Sequence, residues 1–253
     1  MTDDMRIDDY LARGGKLTSP ANASARYRGE LMRLMATFVD SELAGAAGFA
    51  NCINDGPGIK ERIAAARIVL EKLDHAGRVL RIMGEFGADT GRYVSHHPWT
   101  ARLERSADIG AARHGGDMRL NVFHYPIEGW TDAVAMNLLM GRAAMIQLDE
   151  FARVSYQPLG EAFRAILPRE TRHAELGEEG LRKIVADEGG RGAAQASVDY
   201  WYPRVAASFG AAGSARFEAA RRFGLRHTMN EDLRERWRGD VAALLSDIGL
   251  EAR

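Results

Sequence analysis

The sequence predicts an all-α protein built around a bundle of four long helices. Three observations lead there: apolar residues recur every three or four positions, strong breakers fall between the periodic segments, and no segment alternates as a strand would. The expectation is a single domain over residues 1–253, with a bundle at 26–187 and further helices at 195–253.

Residues 1–23 carry no clear period and read as an irregular arm. Arg26–Cys52 reads as the first bundle helix, with Tyr27, Leu31, Leu34, Phe38, Ala46, Phe49 and Ile53 on one stripe. The run Asn54-Asp55-Gly56-Pro57-Gly58 ends it. The second helix is predicted from Ile59 to about Phe86, with Ile68, Val79, Ile82 and Phe86 facing inward and Gly87 closing it. About forty residues follow, broken by Gly91, Pro98, Gly110, Gly115, Gly116 and Pro126, long enough to cross the molecule. The third helix is predicted over Trp130–Tyr156, with Val134, Leu138, Met145, Leu148 and Ala152 inward. Pro158 opens the fourth, where a missing N–H is harmless, and Leu159, Phe163, Ile166, Gly177, Leu181 and Ile184 form its stripe. Helical patterns at Ser197–Phe209 and Ser214–Leu250, the latter interrupted near His227–Asn230, complete the chain.

Short turn, long crossover, short turn is the connectivity of a ferritin-like four-helix bundle. Composition narrows the function. Lys and Arg number 34 against 35 Asp and Glu, a balance that gives no electrostatic drive toward nucleic acid or an anionic membrane. One cysteine, Cys52, excludes an intramolecular disulfide framework and a thiolate-only metal site. No run is apolar enough to span a bilayer and the N-terminal residues do not read as a secretory signal, so a cytoplasmic protein is expected.

The chemistry is expected where polar residues interrupt the apolar stripes. Glu42 falls between Phe38 and Ala46, Lys72 and His75 continue the Ile68–Val79 face, and Glu170 and His173 lie between Ile166 and Gly177. Buried carboxylates and imidazoles need partners or a metal, because bare burial of charge is costly. Di-iron bundles take one carboxylate from each of two helices and Glu-x-x-His from each of the others. The fourth helix has that motif intact as Glu170-Thr171-Arg172-His173. On the second helix Lys72 stands where the motif wants Glu, and on the third Gly141 replaces the carboxylate. Asp149 and Glu150 lie roughly 12 Å further along the axis at ~1.5 Å per residue and cannot substitute. Glu42, His75, Glu170 and His173 are therefore candidate ligands for one iron or manganese ion. The competing reading is a metal-free network in which the Lys72 ammonium supplies the charge a metal would bring.

Several segments carry a family resemblance. Asn121-Val122-Phe123-His124-Tyr125-Pro126 with Gly129-Trp130-Thr131-Asp132, Arg153-Val154-Ser155-Tyr156-Gln157-Pro158, Asp199-Tyr200-Trp201-Tyr202-Pro203 and Asn230-Glu231-Asp232-Leu233-Arg234-Glu235-Arg236-Trp237 resemble stretches of the oxygenase subunit of the phenylacetyl-CoA epoxygenases. Ser41-Glu42-Leu43-Ala44-Gly45 and Asp74-His75-Ala76-Gly77 extend the similarity over most of the chain from residue 26. The resemblance implies a di-iron oxygenase acting on an aromatic coenzyme A thioester with a reductase and a structural subunit. Glu42, His75, Glu170 and His173 match that family's iron ligands, while Lys72, Gly141 and Ile68 depart from its glutamate, aspartate and active-site lysine. Two functions follow: an oxygenase-type enzyme on an acyl-CoA or aromatic acid, with a mononuclear or incomplete metal site and Lys72 as catalytic proton donor, or a metal-free scaffold in a homo- or hetero-oligomer. An iron-storage role fits the crossover and C-terminal helices less well.

Outside the stripes, Arg102, Arg105, Arg113, His114 and Arg119 could hold coenzyme A phosphates or simply form a solvated surface. Met136, Met140 and Met145 read as core or pocket lining, Cys52 as a packed thiol, and Trp130 and Trp201 as packing anchors.

Overall fold

The computed structural model describes residues 7–95, 98–110, 114 and 116–253. Its helices are α1 (Ile7–Ala12), α2 (Ala25–Cys52), α3 (Ile59–Glu85), α4 (Arg92–Ser95), α5 (Gly129–Phe151), α6 (Gln157–Ala186), α7 (Gly190–Ala207), α8 (Ala215–Arg222) and α9 (Asn230–Ile248). Among the described residues there is no strand, only an isolated pairing of Leu17 with Tyr156. The fold is a ferritin-like bundle of α2, α3, α5 and α6, with α7 and α9 laid against α5. No described helix is long and apolar enough to cross a membrane.

Caps fix the ends of the bundle helices, Pro158 and Gly87 where the sequence places them. Ser24 accepts a hydrogen bond from the Tyr27 amide at the start of α2, Pro158 sits in the first turn of α6, and Gly87 leaves α3 with φ +80°. Other boundaries differ. The third bundle helix stops at Phe151 rather than Tyr156, because the chain turns at 152–153 and Tyr156 is extended. The Ser155 amide donates to Gly224, and Leu17 exchanges backbone bonds with Ser155 and Gln157. That tertiary pairing overrides a helical period. The N-terminal arm carries α1 and buries Leu11 and Leu17, too few residues to show a period. α7 begins at Gly190, seven residues before the expected Ser197.

The core is two apolar clusters. One holds Tyr27, Leu31, Met35, Val79, Ile82, Leu159, Phe163 and Ile166. The other holds Phe49, Ile68, Leu138, Leu139, Leu181, Trp201 and Trp237. Between them, along α2, α3 and α6 alike, the buried positions turn polar.

The crossover holds to α2 through two adjacent side chains. Buried Asp40 accepts from the Met118 amide at 2.7 Å and the Trp99 indole at 3.2 Å, and Ser41 accepts from the Leu120 amide at 3.0 Å. In the described part of this segment, which has little helix, backbone and side-chain donors find these acceptors instead. On the far side, buried Glu150 takes the amides of His227 and Thr228, docking the C-terminal elements onto α5.

α5 and α6 approach unusually closely. A Cβ at Gly177 would lie 2.7 Å from the Leu138 nitrogen, and one at Gly141 would lie 3.0 Å from the Ala174 Cα. Gly239 of α9, in contrast, faces open space. Gly239→Ala should therefore raise stability by about 0.5–1 kcal/mol, the ordinary gain for alanine over glycine in a helix. Gly177→Ala should lower it despite the same propensity gain. Denaturant melts of the two variants check the contrast.

Candidate functional site

The polar layer sits at mid-bundle. Glu42 comes from α2, Lys72 and His75 from α3, and Glu170 and His173 from α6, one turn apart on their helices. All five are buried, with His75 wholly sealed from solvent.

Lys72 bridges the two carboxylates. Its Nζ lies 3.3 Å from Glu42 Oε1 and 3.1 and 3.2 Å from the Glu170 oxygens. His75 Nδ1 lies 3.2 Å from Glu42 Oε2 and 3.1 Å from Glu170 Oε1. Each glutamate thus faces both a cation and an imidazole. Burial alone would raise the Glu170 carboxyl, but the Lys72 ammonium and then the two imidazoles hold it well below the usual carboxylate range. Burial likewise works against the charge on Lys72, and Glu170 and Glu42 outweigh it, keeping the lysine protonated beyond its ordinary range. His75 follows the same balance: burial disfavours the imidazolium, and the bonds to Glu170 and Glu42 raise its pKa.

His173 is held differently. Its Nε2 pairs with Glu71 at 2.6 Å, and Asn137 of α5 donates to its carbonyl at 2.7 Å. Its Nδ1 lies 3.3 Å from Glu170 Oε1 but has no hydrogen-bond partner, and the same is true of His75 Nε2. Glu42, His75 and Glu170 each bring a ligand atom within 4.8 Å of the others, and His173 lies outside that trio. Asn137 is a partner the stripes did not single out, while Glu71, which the sequence offers as a ligand only by a one-residue shift, pairs with His173 and lies outside the Glu42–His75–Glu170 group. Glu71 immediately precedes Lys72 and so lies off the inward face, and its role emerges only from how closely α6 packs there.

The departures from a di-iron pattern have structural counterparts. Lys72 occupies the space between the two glutamates, and a side chain at Gly141 would start with a Cβ 3.0 Å from the Ala174 Cα, so a carboxylate there would have to push α6 away from α5. Three of the crossover arginines, Arg102, Arg105 and Arg119, are engaged by the protein's own acceptors. Arg105 forks onto Asp132 at 2.6 and 3.1 Å, Arg119 onto Asp117 and the carbonyls of Pro98, Trp99 and Ala101, and Arg102 onto the carbonyls of Ala44, Trp99 and Ala101. Their donors are spent on the protein itself. His114 is exposed, and Arg113 lies outside the described residues. Cys52 is buried with its thiol pushed up to about 11 by burial, and Trp201 is fully buried.

An apolar cavity of about 410 Å³ reaches this layer. Phe38, Phe49, Phe123, Met136, Met140 and Leu148 line it, Phe209, Phe217 and Leu225 close one side, and Glu42, Lys72 and Glu170 also contribute to its wall. Met145 does not take part.

Helix order, the long crossover and a mid-bundle carboxylate–imidazole layer define a ferritin-like protein whose buried Glu42, His75 and Glu170 form a group that could hold a metal ion. The chain belongs to the phenylacetic acid catabolic protein family, whose model matches residues 9–252. It is similar to a subunit of the 1,2-phenylacetyl-CoA epoxidase of Escherichia coli (strain K12), 23% identical over 99% of this chain and 77% of that protein.

Lys72→Met leaves two buried carboxylates without their cation, and removing one partner of a buried pair typically costs ~3–5 kcal/mol. The expected outcome is a large drop in melting temperature, measured in chelator. Gly141→Asp should also destabilise the protein, with or without added metal, because the obstacle is the backbone of α6.

Proposed function

We propose that the chain is an oxygenase-type member of its family that takes an acyl-CoA or related aromatic acid in the apolar cavity. The observation that carries this reading is that the polar layer forms part of the cavity's wall. A network needed only for stability would be closed off on every side. Here Glu42, Lys72 and Glu170 meet a space of about 410 Å³, within the range of small-molecule sites. Its aromatic and methionine lining suits a flat apolar group, and the similarity to an epoxidase subunit supports that substrate class.

One metal ion fits the donors, and two do not. His75 Nδ1 stands 3.1–3.2 Å from an oxygen of each glutamate, about the spacing of adjacent ligands around a small cation bonded at ~2.1 Å. Hard oxygens with imidazole suit iron or manganese. Glu42, His75 and Glu170 would hold the ion, with the unpartnered His173 Nδ1 as a fourth donor. A second ion is opposed by Lys72 and by the missing carboxylate at Gly141. Iron bound there would supply dioxygen activation. The protein's own contribution is to exclude water with the aromatic lining, to fix His173 through Glu71, and to hold a proton on Lys72 Nζ at the cavity wall. A reductase and a structural subunit of the same fold would complete such a system.

The Lys72 bridge favours a second reading, a metal-free scaffolding member that pairs with a catalytic partner. Elemental analysis of protein expressed in iron- and manganese-rich medium separates the two. The oxygenase reading expects close to one ion per chain, lost in Glu170→Gln; metal-free protein would leave the scaffold. For the cavity, Ala144→Trp should weaken binding of an aromatic acyl thioester by about tenfold or more, as titration calorimetry would show. Undiminished binding would place the ligand elsewhere.

A further inference from the structure

α3 carries an unpartnered seam. Four of the six exposed large hydrophobic side chains among the described residues belong to this one helix: Ile59, Ile63, Leu70 and Leu73, at 76, 54, 68 and 46% exposure. With Ala66 and Gly77 they are spaced four, three, four, three and four residues apart. That is the spacing of a coiled-coil seam, an apolar stripe made to face another helix. The opposite face of the same helix carries Ile68, Lys72, His75 and Val79 into the bundle, so the outer stripe is surplus to the fold. Side chains of this size scattered singly need no explanation, but a continuous periodic row does.

We propose that this stripe is a dimer interface, and that its occupant is the α3 of a second copy, running antiparallel. The order of residue sizes selects that occupant. Turned end for end, the stripe matches itself: Ile59 opposes Gly77, Ile63 opposes Leu73, and Ala66 opposes Leu70, and each pair repeats across the two-fold axis. Gly77 has nothing within 4 Å of where a Cβ would stand, which leaves a hole for the partner's Ile59. Ala66 likewise leaves room for the partner's Leu70. Two of the three kinds of layer therefore set a large side chain against a small one, as knobs-into-holes packing requires. Charge agrees at the flanks, where the same register brings Lys60 of one copy toward Asp74 of the other. Arg67 with its own copy near the axis is the like-charge contact. A parallel pairing would instead stack Ile59 on Ile59 and Gly77 on Gly77, with overfilled and empty layers. The inference does not depend on what the cavity binds.

Light scattering on the full chain, over a range of concentrations, tests it. The expected mass is near twice the 27.8 kDa of one chain. Leu70→Glu, on an exposed site, should return it to one chain while circular dichroism stays helical. Register is tested by mixing Ile63→Cys and Leu73→Cys chains under mild oxidation, with one chain tagged to distinguish it. Mixed 63–73 dimers should exceed disulfide dimers of either variant alone, and Cys52, being buried, should stay out of the reaction. A chain that is monomeric at every concentration overturns the proposal. So does a dimer that survives Leu70→Glu, or cross-links no more frequent between the two variants than within either.

Discussion

Everything at mid-bundle depends on one ammonium placed between two carboxylates. Glu42 and Glu170 come from different helices and would repel each other in a dry interior. Lys72 turns that repulsion into a tie joining α2, α3 and α6. The bond is not a cheap source of stability, because three charges give up water to make it. Its effect is geometric: only one register of the three helices brings the ammonium within reach of both acids. The polar layer thereby divides the core in two, and the apolar clusters on either side pack against a fixed partition.

The same lysine sets the limits of the chemistry. A cation that already neutralises the carboxylates competes with any metal for the same oxygens. The close seam of α5 on α6 crowds the remaining place for a carboxylate, so the two departures reinforce each other. On α3 the buried stripe brings a side-chain cation, Lys72, to carboxylates that belong to a group able to hold a metal ion.

Much of this was legible in the sequence, and the reasons are local. The four bundle helices show because their stripes are long and their ends carry breakers such as Asn54–Gly58 and Pro158. The five polar residues show because each interrupts an apolar stripe. What stayed hidden depends on distant partners. The non-helical stretch at Ser155 exists because Gly224 and Leu17 pair with it, far away in the chain. Glu71 finds His173 only through the packing of α6 on α3, and the crossover arginines look solvent-facing until their carbonyl partners are in place. The contribution of Gly141 is also spatial: the sequence shows a missing ligand, whereas the structure shows a closed gap.

The cavity has walls from two sources. Phe38, Met136, Met140 and Leu148 come from the bundle, whereas Phe209, Phe217 and Leu225 belong to the C-terminal elements that Glu150 clamps onto α5. A molecule in that space touches both, so it favours the docked arrangement by its full difference in affinity between docked and undocked forms. Ligand binding in the cavity and any loosening of the C-terminal third would then be thermodynamically linked. A change at the Glu150 clamp, remote from the polar layer, would register first as a change in occupancy.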